Sequence, residues 1–308
     1  MSEALVAARG LAKRYGDFVA VDDIDFDVEA GEAFGFLGPN GAGKSTTMRM
    51  IGCVSPLSAG TLRIFGLDAA TEGRQIRARL GVVPQLDTLD IELSVMENLV
   101  LYGRFFDLPR AESRRRATEL LEFVQLSERA DSVVDQLSGG MKRRLSITRS
   151  LINQPDLLLL DEPTTGLDPQ ARHVIWERLY SLKRDGVTLI ITTHYMDEAE
   201  QLCDRLVVMD GGRIVATGSP RSLIAEHSTR EVLEVRFPPR TCGAGEPDLS
   251  GVGARVEVLP DRTLVYADDG EAALSALHAR SLQPLSSLVR RSSLEDVFLH
   301  LTGRTLVD

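Results

Sequence analysis

The sequence has very little lysine. Among its 308 residues only Lys13, Lys44, Lys142 and Lys183 are lysines, the remainder of the 35 basic residues being arginine, so each lysine raises the question of why arginine does not stand there. Basic residues are outnumbered by 45 acidic ones, giving a formal net charge of −10. That balance excludes the bulk attraction on which non-specific binding to nucleic acid or anionic lipid depends. No run approaches the ~20 consecutive apolar residues of a membrane-spanning helix. The opening Met1-Ser2-Glu3-Ala4-Leu5-Val6 has neither the basic start nor the sustained apolar segment of a secretory signal. The three cysteines (Cys53, Cys203, Cys242) are odd in number and far apart, which argues against a disulfide framework or a metal site. They read as small core residues. Internal repeats, low-complexity tracts and sustained heptads are also lacking. These absences point to a soluble, acidic, cytoplasmic protein.

A hydrophobic fraction of 43% beside a charged fraction of 26% provides for a sizeable core, and at roughly 100–200 residues per domain the length suggests two domains. Residues 5–30 read as antiparallel strand, because Ile24-Asp25-Phe26-Asp27-Val28-Glu29 alternates apolar and acidic residues as a sheet with one solvated face does. The apolar Ala33–Leu37 leads into a glycine-rich turn and then a helical pattern from Lys44 to about Gly52. Between about 90 and 152 the pattern is helical and charged. It includes a capping box at Ser94/Glu97, an arginine-rich helix through Ala117, Leu120, Leu121 and Val124, and a helix after Ser138. The basic runs Arg114-Arg115-Arg116 and Lys142-Arg143-Arg144 read as solvated helix faces. From Leu157 onward strands and helices alternate, implying a sheet covered by helices. A first domain over 1–228 is expected, then a small α/β domain over 229–308. The latter has a Gly-rich loop at 241–254, strands around Leu233, Val256 and Leu264, and helices near 271–279 and after a Ser292/Glu295 capping box.

Gly38-Pro39-Asn40-Gly41-Ala42-Gly43-Lys44-Ser45 fits the pattern G-x-x-x-x-G-K-[ST] between an apolar strand and a helix. Glycines let consecutive backbone N–H groups turn inward on a phosphate, and the helix adds its positive end. Lys44 offers a compact point charge where the planar fork of arginine fits poorly. Ser45 offers a hydroxyl to Mg²⁺. A second half is expected at the end of a buried strand, and Leu157-Leu158-Leu159-Leu160-Asp161-Glu162 provides two carboxylates. Asp161 would hold Mg²⁺ directly or through water; Glu162 would polarise the attacking water.

Leu137-Ser138-Gly139-Gly140-Met141 resembles the signature of ATP-binding-cassette (ABC) ATPases, and the family's other motifs follow in order. The resemblance implies that Tyr15 stacks on adenine and that Gly38 through Ser45, with Thr46, hold the nucleotide. It also implies that Gln85, in Gly81-Val82-Val83-Pro84-Gln85, touches Mg²⁺ and the γ-phosphate, and that Asp168 lies in the D-loop. His194 is implied as the switch histidine, acting in catalysis beside Gln85 and Glu162. Met141 departs from the usual glutamine but leaves Ser138 and the Gly139/Gly140 amides in place. The implied fold is an α/β P-loop NTPase cassette with a mixed sheet core, an antiparallel β edge subdomain and a helical signature subdomain over about 90–152, followed by the small C-terminal α/β domain. The implied activity is hydrolysis of ATP with Mg²⁺ by a head-to-tail homodimer, in which Leu137–Met141 of one copy meet the nucleotide of the other.

Further likeness, in Leu86–Asp90, Ala171–Trp176, Ala199–Asp204, His227–Glu234 and Ser293–Phe298, is to the ABC-2 exporter branch of nodulation-factor and daunorubicin-type ATPases. It implies a separate membrane permease as partner, a place at the cytoplasmic face of the membrane, and no nucleic-acid ligand. Taken alone, Tyr15 is an ordinary half-buried aromatic and His194 one of five histidines. Two other readings stand beside the exporter. A soluble cassette ATPase acting on ribosomes or DNA would ordinarily carry two cassettes or a long coiled coil, and this chain has one phosphate loop and one signature. A nucleotide-gated regulator without turnover is opposed by the presence of both Asp161 and Glu162.

Overall fold

The computed structural model describes residues 4–238 and 248–303. Cys242, residues 241–247 of the expected loop and the opening Met1-Ser2-Glu3 lie outside the described residues. The chain divides into two compact units, one through Ser219 and one from Pro220.

The first unit begins with strands β1 (Val6–Tyr15), β2 (Phe18–Val28) and β3 (Ala33–Leu37), helix α1 (Lys44–Ile51), strands β4 (Ala59–Ile64) and β5 (Leu67–Asp68), helix α2 (Gly73–Ala78) and strand β6 (Leu80–Val83). Helices α3 (Val95–Gly103), α4 (Arg110–Phe123) and α5 (Gly139–Ser150) follow. The unit ends with β7 (Leu157–Asp161), α6 (Pro169–Arg184), β8 (Thr188–Thr193), α7 (Met196–Leu202), β9 (Arg205–Asp210) and β10 (Arg213–Gly218). The stretch expected to be strand over 5–30 is a hairpin. Gly16, at φ 58°, turns it, and Tyr15 faces Phe18 across the register.

Two sheets form this unit. One is antiparallel, ordered β2-β1-β4-β5; the other is mixed, ordered β10-β9-β3-β8-β7-β6, with only β10 antiparallel. This is the mixed α/β core, antiparallel edge and helical subdomain of a P-loop NTPase cassette. Strands β3 and β8 are buried along their whole length, as is Leu157–Leu160 of β7, and continuous apolar runs are what a parallel sheet covered on both faces selects. Phe26, Phe34 and Phe36 fasten the two sheets together, the Phe26 and Phe36 rings meeting edge to face at 5.1 Å, an arrangement worth about 0.5–1.5 kcal/mol beyond burial. The parallel register sets Leu37 beside Thr193 and Asp161 beside Thr192. The carboxyl ends of β3, β7 and β8 therefore open on the same edge, where α/β sheets bind ligands.

Helices α3, α4 and α5 enclose a separate apolar cluster that includes Leu99, Leu121, Leu137 and Leu145. The Ser94/Glu97 capping box starts α3 as expected. Cys203 is buried and Cys53 half-buried.

The second unit comprises α8 (Pro220–His227), β11 (Glu231–Arg236), β12 (Arg255–Val258), β13 (Thr263–Ala267), α9 (Gly270–Ala279), β14 (Ser286–Arg291) and α10 (Leu294–Thr302). Its antiparallel sheet is ordered β12-β13-β11-β14. Leu233, Val235 and Val265 pack with Ala273 and Leu277 of α9; Val232, Leu264 and Tyr266, from the alternate positions, pack with Leu299 of α10. Strand β14 was not anticipated, because Ser286-Ser287-Leu288 is half polar and exposed on an edge. The expected Ser292/Glu295 box lies one residue further on. Ser293 N–H donates to Asp296 Oδ2 (2.8 Å), while the Ser292 hydroxyl is committed to the Thr229 carbonyl (2.6 Å).

Candidate functional site

The loop between β3 and α1 is held by close backbone contacts that exclude side chains at two glycines. A Cβ at Gly38 would lie 2.3 Å from the Met209 carbonyl oxygen. At Gly43, with φ 101°, it would lie 2.6 Å from that of Ala20. These constraints turn the loop's amides and the amino end of α1 toward one cleft of about 360 Å³. Asn40 through Thr46, Phe18, Ala20, Gln85 and Glu162 line it.

Lys44 is 4% exposed. Its ammonium donates to the Gly38 (2.7 Å) and Pro39 (3.0 Å) carbonyls and stands 3.8 Å from Glu162 Oε1. Burial pulls its pKa down, opposed by the Glu162 and Asp161 carboxylates. The Ser45 hydroxyl donates to Asp161 Oδ1 (3.0 Å), as does the Thr192 hydroxyl (2.5 Å). Glu162 accepts from Gln85 Nε2 (3.0 Å) and the Thr165 hydroxyl (3.1 Å), and His194 Nδ1 lies 3.4 Å from the same oxygen. His194 is the main cause holding the Glu162 carboxyl below its usual range; burial opposes this and Lys44 assists. Glu162 is thus an ionised acceptor at neutral pH.

Glu162 also has left-handed backbone geometry, φ 47°, which costs a non-glycine residue of order 1–3 kcal/mol. Two bonds from its own N–H fix it there, to Thr192 O (3.1 Å) and Thr192 Oγ1 (3.0 Å). The surrounding sheet therefore imposes the turn that aims the carboxylate at the phosphate loop.

The structure thus brings Lys44, Ser45, Gln85, Asp161, Glu162 and His194 together from four separate stretches of sequence. The oxygens of Ser45 and Asp161 form a hard donor pair for a divalent cation. Among the described residues no three His, Cys, Asp or Glu side chains form a complete metal cage, so a cation here would keep water ligands.

Other expected residues lie apart from this cluster. Residues 137–141 do not line the cleft. Ser138 caps α5, its hydroxyl accepting from Met141 N–H (3.3 Å), and the Met141 side chain packs against the helical cluster. An added Cβ at Gly139 would meet nothing within 4 Å, leaving the start of this helix open to a ligand. Asp168 caps α6, accepting from Ala171 N–H (2.9 Å). Tyr15 is 47% exposed under the Lys13 ammonium and does not line the cleft, whereas Phe18, its cross-strand partner, does.

Sequence reasoning missed three residues. Phe18 opens the strand directly opposite Tyr15, and the hairpin turn at Gly16-Asp17 was the available signal. Glu198 is 1% exposed on α7; its carboxylate accepts from the Thr164 hydroxyl (2.8 Å) and Trp176 Nε1 (3.2 Å), and burial pushes its pKa up. Arg143 corrects an expectation. The run Lys142-Arg143-Arg144 is not uniformly solvated, because Arg143 is 5% exposed and turned into the protein. The side of α5 opposite Met141 and Leu145 is covered by the β6 and β7 loops, which adjacent residues in sequence do not reveal.

Comparison with known proteins identifies the family. The model of the ABC transporter family matches residues 21–165, and that of the C-terminal domain of nodulation factor export protein NodI matches residues 244–303. The Nod factor export ATP-binding protein I of Ralstonia nicotianae is 47% identical, over 100% of this chain and 96% of its own length. Its counterpart in Paraburkholderia xenovorans is 46% identical over the full length of both. An ATP-binding cassette solved as a dimer in a post-hydrolysis state with ADP and Pi superposes with a TM-score of 0.64. It is 29% identical, and the match covers 70% of this chain and 98% of that one. A cassette from Clostridium perfringens, part of the ABC transporter complex cbiONQ, gives a TM-score of 0.67 at 30% identity, covering 73% and 92%.

Proposed function

The chain belongs to the ABC transporter family as an ATP-binding, ATP-hydrolysing subunit, and from that premise we propose that it drives export through a separate membrane permease. The observation that carries this reading is the convergence of Lys44, Ser45, Asp161, Glu162, Gln85 and His194 on a single cleft. In it, Lys44 and the inward amides hold the β- and γ-phosphates. Glu162 accepts the proton of the attacking water, oriented by Gln85 and His194. Ser45 and Asp161, with Gln85, would hold Mg²⁺, which would offset the charge on the phosphates. Tyr15 or its partner Phe18 stacks on the base.

The signature stands outside this cleft, so a second copy completes the reaction centre by presenting Ser138–Gly140 to the nucleotide. Strand β6 borders a groove of about 880 Å³ whose walls include Arg77, Val82, Tyr102 and Phe105, the last 73% exposed. We place the permease contact there. Among the described residues no helix is long and apolar enough to cross a membrane. The relatives are named for Nod factor export, and we assign the same class of cargo, an amphipathic lipo-oligosaccharide. The test is co-expression with its candidate permease in inverted vesicles. ATP-dependent uptake of lipo-oligosaccharide, lost in the Glu162→Gln chain, is expected. Recovery of the ATPase with ribosomes or DNA in place of the membrane would favour the non-transport alternative.

A further inference from the structure

Arg143 is charged, buried and held almost entirely by backbone. Its Nε donates to the Pro163 carbonyl (2.7 Å) and its Nη1 to that of Pro84 (2.6 Å). Its Nη2 is shared between the carbonyls of Asp161 (2.9 Å) and Glu162 (3.0 Å). The Asp87 carboxylate stands 3.8 Å away, beyond a direct hydrogen bond. Burying a guanidinium whose nearest carboxylate stands 3.8 Å away costs desolvation that an apolar side chain would avoid, so packing alone does not account for it. A planar fork does what no apolar residue can, reaching both chain segments at once.

Those segments are the turn that aims Glu162 and the loop that presents Gln85. The helix carrying Arg143 starts at Ser138, the residue a second copy's nucleotide would meet. Asp161 and Glu162 sit together at the end of β7, and the backbone carbonyls of both accept from this one side chain.

We propose that Arg143 is a positioning residue that joins the signature helix, the Gln85 loop and the Glu162 turn into one body. Closure of the signature on the partner copy's nucleotide then sets the geometry of water activation in its own copy's cleft. This rests on the reading of Glu162 as the group that activates water.

The test uses the full-length chain. Arg143→Lys keeps the charge and the aliphatic stem but loses the fork. It is expected to lower kcat by about 10- to 100-fold, the scale of a small misplacement of catalytic groups, while KM for ATP stays within about 2-fold, because the phosphate loop is untouched. In Arg143→Ala, free guanidinium well below denaturing concentration is expected to restore part of the rate. Wild-type kcat in Arg143→Lys would overturn the proposal. So would loss of kcat and ATP affinity together, which would mark Arg143 as scaffold only. If Arg143→Ala does not fold, Arg143→Lys alone decides. Glu162→Gln measured in parallel separates the two readings: persistent turnover in that variant would refute the base, whatever Arg143 does.

Discussion

Both units of this protein bury charge, and they do so in opposite ways. In the second unit Arg290 donates to Glu234 (2.6 Å) and, with two nitrogens, to Asp296 (2.7 and 3.0 Å), while the Tyr266 hydroxyl adds a bond to Asp296 (3.3 Å). These ions touch directly and satisfy one another. In the first unit Lys44 and Glu162 are more deeply buried than Arg290, yet 3.8 Å separates them, and they border an open cleft beside a second carboxylate. An ion cluster whose members satisfy one another leaves nothing for a ligand; one held apart at an open cleft is poised to receive a charged ligand. The contrast separates the reactive region from the structural one without reference to any motif.

The sharpest way to break this contrast is to neutralise Glu162. Glu162→Gln should leave ATP binding intact and lower phosphate release by about 10²–10⁴-fold, the usual contribution of a general base. It should also accumulate an ATP-dependent dimer in gel filtration. Lys44→Ala should weaken ATP binding by about 100-fold or more, in keeping with about 2–5 kcal/mol for truncating a buried charged partner, as titration calorimetry would register; normal affinity would contradict the site. In the closed cluster the effect should move to stability. Asp296→Ala leaves the half-buried Arg290 with Glu234 alone and uncaps α10, and should destabilise the second unit by about 1–2 kcal/mol, seen as an earlier unfolding transition with ATP affinity unchanged.

Acid should sharpen the comparison further. Burial raises the Asp296 pKa, but Arg290 and the Ser293 N–H outweigh it, so the folded value lies below the ordinary one near about 3.9. Stability from this group is therefore complete above the unfolded pKa and lost as pH falls through the folded one. The second unit should weaken below about pH 4, and Asp296→Asn should flatten that part of an acid melt followed by circular dichroism. The smallest effect is expected from truncation after Ser219. If the units fold separately, the remaining chain should stay soluble and keep its basal ATPase within about 3-fold; an insoluble product would place the boundary elsewhere.

Much of the cassette was legible because its chemistry is local in sequence. Gly38–Ser45 and Leu157–Glu162 carry strand, turn and ligand group in one stretch, and the alternation of strands and helices after Leu157 gave the layered α/β core. What stayed hidden depends on partners distant along the chain. Arg143 lies in a basic run that reads as solvent-facing, and only the docking of α5 on the Pro84 and Pro163 loops buries it. Glu198 reads as one more acid in an acidic helix until Thr164 and Trp176 close over it. Strand β14 escaped notice because Ser286, Ser287 and Leu288 are all exposed, leaving too short an apolar alternation to read. The Ser292 and Ser293 exchange shows the same limit at one-residue scale, since adjacent serines are equivalent until Thr229 claims one of them.

The left-handed turn at Glu162 has a consequence for how this chain would evolve in the laboratory. A residue without a Cβ would relieve the backbone strain at that position, but it would also take from the buried Lys44 ammonium its facing carboxylate. A library sorted for thermal endurance alone should therefore relax this turn only together with changes at position 44, and return robust, inert chains. One sorted for turnover should retain the strained glutamate and gather its compensating substitutions elsewhere.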